Sequence, residues 1–181
     1  MTMPNYPADV LERAAKIRLI GFDVDGTLTD GRLHYAVGVS DAKSFCVQDG
    51  MGITLLRHAG IETALVTARQ SPLVAARGSE LKINHLHIGE RAKLACMQRI
   101  AAGMGIGMDE VAFMGDDLPD LATLRAVGLA IVPANAHHWV LPAAHWVTPR
   151  NGGEGAARDA CDLLLHAQGR VQAILEHGEH P

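Results

Sequence analysis

Asp23 and Asp25 flank a single valine where the apolar run Ile17 to Phe22 gives way to a turn at Gly26-Thr27. Two carboxylates that close repel each other. A chain keeps such a pair where a cation sits beside it, or where one carboxyl holds a proton. Both arrangements belong to chemistry more often than to scaffolding. Three later groups carry compatible residues: Thr67 in "VTAR", Lys93 after "GERA", and Asp116, Asp117 and Asp120 in "GDDLPD". Several carboxylates against one lysine call for a hard cation with oxygen ligands. Few protein ligands and a phosphate-bearing substrate favour Mg²⁺ over an all-protein calcium cage. An EF-hand loop also begins D-x-D, but Leu28 stands where that loop needs glycine, and a strand precedes it.

These residues matter together only if the fold gathers them. Apolar strands are expected at "KIRLIGF", "IETALVT", "INHLHIG", "EVAFMG", "LAIVPANA" and "HWVTPRNGG". Helices are expected at Gly50 to Gly60, from Ser71-Pro72 onward, at "ERAKLACMQRIAAGMG", near "DLATLRAVG" and at "GAARDACDLLLHAQG". Ser71 and Pro72 read as N-cap and N1, and Gly60 as a left-handed C-terminal cap. This alternation predicts an α/β fold: a Rossmann-like three-layer α/β/α arrangement with a mostly parallel sheet and right-handed crossovers. In such sheets ligands bind beyond the carboxyl ends of the strands, where the polar groups fall. Residues 1–181 read as one domain. A β-hairpin is expected at about 32–47, and a flexible tail at about 176–181. No internal repeat or low-complexity linker appears.

Composition narrows the function further. The chain has 181 residues, is 48% hydrophobic and only 4% aromatic, so its core must be aliphatic. A net charge of −4 without runs of like charge argues against a nucleic-acid partner. The N-terminus lacks the apolar core of a secretory signal, and no apolar stretch is long enough to span a membrane. The three cysteines, Cys46, Cys96 and Cys161, are widely spaced and suit a reducing compartment. A cytoplasmic location is expected. Ten histidines form no cluster of ligand spacing, and "GMGIG" lacks the strand and GK[ST] of a nucleotide cradle. Trp139 and Trp146 read as packing residues.

The ordered set "DVDGTLTDG", "VTAR", a lysine and "GDDLPD" resembles the four motifs of the haloacid dehalogenase superfamily, over nearly the whole chain. The stretches "SFCVQDGMGI", "MGDDLPDLATLRAVGLAIVPANAH", "WVT" and "GGEGAARDACDLLLHAQG" resemble a capless branch that dephosphorylates a 3-deoxy eight-carbon sugar acid in lipopolysaccharide synthesis. The resemblance implies Asp23 as nucleophile and Asp25 as general acid and then base. Asp25 must then hold a proton when substrate binds, a form that a neighbouring carboxylate favours. Thr27 would restrain Asp25. Mg²⁺ would be held by Asp23, the Asp25 carbonyl and Asp116, with Lys93 and Thr67 on the phosphoryl group. Asp117 would orient Lys93 or a metal-bound water, with Asp120 supporting. No cap fits between the motifs, so a homotetramer is implied, in which neighbouring subunits cover the site through Leu33, Tyr35, Phe45 and Val47. Three departures stand out: Ala68 in place of glycine in "TGR", Gln48 in place of the arginine of "VRDG", and Glu154 in place of a basic residue. Arg69, Arg77 and Arg158 remain to pair a sugar carboxylate. A phosphatase for a nine-carbon sugar acid 9-phosphate and a catalytically silent oligomeric partner are the alternatives.

Overall fold

A computed structural model describes residues 5–34 and 42–177, with the side chain of residue 177 outside that description. Six strands form one sheet: β1 Leu19–Phe22, β2 Glu62–Thr67, β3 His85–Ile88, β4 Val111–Met114, β5 Leu129–Val132 and β6 Trp146–Val147. Their order is β3-β2-β1-β4-β5-β6, and every pairing is parallel.

The strands are short and apolar because the central ones are covered on both faces. Alternate residues point to opposite sides. Ile20, Phe22, Leu65, Ala112, Met114 and Ile131 join one core. Helices α1 Ala8–Ala14, α2 Val47–His58, α6 Ala156–Ala167 and α7 Val171–His177 pack there. Leu19, Ala64, Val66, Val111, Phe113, Ala130 and Val132 face the other core, under α4 Lys93–Met104 and α5 Leu121–Leu124. Helix α3, Pro72–Glu80, follows β2 with Ser71 as its N-cap and Pro72 in its first turn, as expected.

Helices α1 and α7 were not anticipated. Both are seven residues long, too short for a clear helical period, and both are held by packing on the first core. Helix α7 runs two residues into the segment expected to fray, and residues 178–181 lie outside the description. The hairpin expectation also shifts. Val47 opens α2 instead of ending a strand. Its β-branched side chain suggested a strand, but the first turn is fixed by Asp49, which reaches across to α6. Residues 32–34 and 42–46 carry no strand, and residues 35–41, with Tyr35, lie outside the description.

The sheet order sets the site. Chain connection runs outward from β1 in both directions, so the crevice between β1 and β4 is the switch point where such sheets bind ligands. Phe22 pairs in register with Met114. The residues just past each, Asp23 and the Gly115-Asp116 turn, must therefore meet.

Candidate active site

The first loop is wound tightly around one carbonyl. The Val24 oxygen accepts the N–H groups of Thr27, Leu28 and Thr29. Gly26 takes φ +92°, and a Cβ there would lie 2.1 Å from Asp116 Oδ2. Only glycine allows both the left-handed turn and this approach. Asp23 is anchored by its own N–H to the Met114 carbonyl at 2.9 Å. Among the described residues, no hydrogen bond ends on the Asp25 carbonyl oxygen.

Asp23, Asp116 and Asp120 bring carboxylate oxygens within 4.8 Å of one another. Lys93, the first residue of α4, sits between two of them. Its Nζ lies 2.8 Å from Asp23 Oδ1 and donates to Asp120 Oδ1 at 2.6 Å. Asp120 is fully committed, because its Oδ2 also accepts the N–H groups of Asp116 and Asp117 at 3.1 and 3.3 Å. It shapes the fourth loop and holds the lysine. With Asp120 committed to Lys93 and the fourth loop, Asp23 and Asp116 are the members of this cluster left to face a cation.

The charge on that set is unbalanced. Burial, and then the Asp120 charge, push the Asp23 carboxyl up to about 6 despite Lys93. Burial, then Asp23 and Asp120, push Asp116 up to about 7. Burial alone would lower the Lys93 ammonium, but Asp23 and Asp120 outweigh it and raise it. Acids raised in this way by burial and by neighbouring carboxylates mark a seat for a divalent cation. The all-oxygen donor set fits Mg²⁺.

Two expectations about this loop need correction. The Thr27 hydroxyl donates to Asp116 Oδ1 at 3.2 Å and does not restrain Asp25. The tight turn around Val24 aims Thr27 at β4, away from the aspartate two residues before it. Asp117 does not touch Lys93. It is exposed and caps the short 3₁₀ turn that follows, accepting from Leu118 N–H at 2.7 Å. The reach that was assigned to it belongs to Asp120.

Asp25 lies on the β2 side of the rim, where its side-chain partners are cations and not the neighbouring carboxylate expected from the sequence. The Lys43 ammonium donates to its Oδ1. Arg69 Nε lies 4.0 Å from Oδ2, which is buried without a hydrogen bond. Lys43 was missed because it belongs to no motif and lies in an irregular segment. Its side chain is only 3% exposed, a burial that lysine rarely accepts without a partner. Thr67 ends β2, is buried, and accepts the Arg69 N–H on its hydroxyl at 3.3 Å.

The remaining arginines are occupied elsewhere. Arg77 binds Glu80 at 2.9 Å and lies over the Phe45 ring. Arg158 pairs with Asp162 one turn along α6 at 2.7 Å. Gln48 accepts from Arg150 Nη1 at 2.6 Å, and Glu154 accepts from Asn151 at 3.1 Å. Arg150, which also binds Asp159, is the basic group of that region and was not anticipated. Ala68 does not adopt positive φ, so its methyl is tolerated. Trp146 packs edge-on against Tyr6, but Trp139 is 59% exposed and rests on His137 within its own loop.

Known proteins resemble this chain in sequence and fold. Residues 82–158 match the haloacid dehalogenase-like hydrolase family. The 3-deoxy-D-manno-octulosonate 8-phosphate phosphatase of Yersinia pestis is 40% identical, over 91% of this chain and 88% of that protein. A hypothetical protein from Xanthomonas campestris superposes with TM-score 0.93 at 48% identity, covering 97% of this chain and 99% of that one. The 3-deoxy-D-manno-octulosonate 8-phosphate phosphatase of Moraxella catarrhalis was solved with magnesium, phosphate and KDO. It superposes with TM-score 0.92 at 35% identity, over 94% of this chain and 98% of that one. With its paired acids at the β1 and β4 ends and this likeness along nearly its whole length, the chain belongs to the haloacid dehalogenase-like hydrolases, in the family of the 3-deoxy-D-manno-octulosonate 8-phosphate phosphatases.

Proposed function

We propose that this protein hydrolyses 3-deoxy-D-manno-octulosonate 8-phosphate to the free sugar acid and phosphate, using Mg²⁺, as a step in lipopolysaccharide sugar synthesis. The observation that carries the reading is the meeting of Asp23 and Asp116 across the β1–β4 crevice with Lys93 beside them. The named relatives supply the substrate.

Asp23 attacks phosphorus, so an Asp23 oxygen–phosphorus bond forms as the bond to the sugar oxygen breaks. Asp25 gives its proton to that leaving oxygen. Water then attacks the aspartyl-phosphate, Asp25 takes the water's proton, and phosphate departs with Asp23 restored. Lys93 orients Asp23 and offers positive charge to the phosphoryl oxygens, while the Thr67 hydroxyl supplies a donor. Asp23, Asp116 and the Asp25 carbonyl would hold Mg²⁺, which would supply charge that lets two anions approach. Asp120 keeps Lys93 and the fourth loop in place. Arg69, half-exposed beside Asp25, is placed for the sugar carboxylate. Arg77 is engaged with Glu80 and is dropped from that role.

The working form is a cytoplasmic homotetramer whose subunits cover one another's sites. Leu33 and Val47, 43% and 81% exposed around the segment after the first loop, provide apolar surface for that contact. Phosphate release measured on eight- and nine-carbon sugar acid phosphates, with and without EDTA, tests the reading. Preference for the eight-carbon 8-phosphate with loss on chelation is expected. Preference for a nine-carbon 9-phosphate would reassign the substrate. No release from any sugar phosphate would favour a silent oligomeric partner.

A further inference from the structure

Asp49 is a buried carboxylate that the proposed chemistry does not use. It lies in the first turn of α2 and is 3% exposed. Its Oδ1 accepts the Arg158 N–H at 2.8 Å, and the carboxyl also faces the Gly155 N–H. Gly155 is the N-cap of α6, so α2 caps another helix through this one side chain. Oδ2 is buried without a partner. Burial raises the carboxyl above its usual range, the N–H groups and Arg150 opposing.

The loop that Asp49 anchors runs straight onto the first catalytic loop. Gly153 N–H donates to the Thr27 carbonyl at 3.1 Å, and Gly152 N–H to Asn135 Oδ1 at 2.9 Å. A Cβ on Gly152 would lie 1.8 Å from the Gly26 oxygen, so backbone rests on backbone there. Thr27 in turn donates to Asp116. Asp49, the α6 N-terminus, Gly153, Thr27 and Asp116 thus form a continuous chain of contacts from α2 to the cation seat.

We infer that Asp49 is a positioning residue for the metal seat, acting through the 151–155 loop on Thr27 and Asp116. This rests on the reading of Asp23 and Asp116 as cation ligands. The test titrates metal-free protein with Mn²⁺ by electron paramagnetic resonance, alongside hydrogen exchange at the Gly153 amide. Asp49→Asn keeps the acceptor and should bind Mn²⁺ like the parent. Asp49→Ala should weaken Mn²⁺ binding several-fold, by less than the about 10- to 100-fold expected for a residue that itself bonds a metal ligand, because Asp49 acts through Thr27. It should also lose Gly153 protection while the β1 and β4 amides keep theirs. Parent affinity and parent Gly153 protection in a folded Asp49→Ala protein would overturn the inference. If that variant does not fold, Asp49→Ser, whose shorter side chain draws the acceptor oxygen back from the Arg158 N–H but keeps a polar group, is titrated instead. Failure of both to fold would make Asp49 a residue of the whole fold and overturn the inference as well. A parent protein that binds no Mn²⁺ would defeat the metal reading separately, and Gly153 exchange in Asp49→Ala against Asp49→Asn would then decide.

Discussion

The two sides of the sheet's carboxyl rim carry opposite electrostatic imbalances. On the β4 side, three carboxylates, Asp23, Asp116 and Asp120, stand against one buried lysine that pairs with Asp23 and Asp120, and burial and repulsion push Asp23 to about 6 and Asp116 to about 7. On the β2 side, the single carboxylate of Asp25 faces Lys43 and Arg69. The first side lacks positive charge and the second has it to spare. A divalent cation completes the first. An anionic sugar acid suits the second. The proposed division of labour follows from charge: on that reading the β4 side would run the phosphoryl chemistry and the β2 side would receive the leaving group.

The sharpest way to break this division is at Asp23. Asp23→Asn should lower kcat at least ~10⁴-fold in a phosphate-release assay, because no other group is placed to attack. Residual turnover within tenfold of the parent would put the nucleophile elsewhere. Next comes Lys93→Met, which strips the only cation among the described residues of the β4 side. It should cost at least about 10²–10³-fold in kcat, the size seen for loss of one oxyanion-hole donor to a transition state. A change confined to KM would make Lys93 a mere binding residue.

A third prediction uses pH. Asp23 and Asp116 are acids raised by folding, so the metal-free native state binds more protons than the unfolded chain between about pH 4 and 7. Its stability should therefore fall as pH rises through that window. Mg²⁺ needs both carboxylates ionised, so its affinity, and the melting-temperature gain it gives, should grow with pH and level off above about 7. Calorimetric melts with and without Mg²⁺ from pH 5 to 8 check both slopes, and a gain that shrinks with pH would contradict them. The smallest effect is expected on the β2 side. Arg69→Ala should raise KM about tenfold, with kcat within about threefold, because it removes a half-exposed charge-assisted contact worth roughly 1–2 kcal/mol. Loss in kcat alone would place Arg69 in the chemistry.

The same contrast explains what could be read from the sequence. The β4 side was legible because its residues are delivered by strands with strong apolar patterns: "IRLIGF" before Asp23 and "EVAFM" before Asp116. Parallel order and the switch-point rule then bring them together. The β2 side was half-legible. Thr67 and Arg69 follow a clear strand, but Lys43 comes from an irregular segment with no period to place it. Asp117 and Asp120 were both noticed, but the contact with Lys93 was given to Asp117 and only a supporting place to Asp120, since spacing within a 3₁₀ turn does not reveal which carboxyl points inward. Arg77 sits on a helix face read from spacing alone, and only packing shows it turned to Glu80 and Phe45. Helices α1 and α7 escaped because seven residues carry too little periodicity.

Identifying the phosphorylated residue during turnover tests the central claim most directly. Enzyme mixed with Mg²⁺ and substrate, quenched in acid within milliseconds and digested, should carry one phosphoryl group on the peptide containing Asp23. A phosphoryl group on another side chain, or full turnover with no phosphorylated peptide at any quench time, would contradict it.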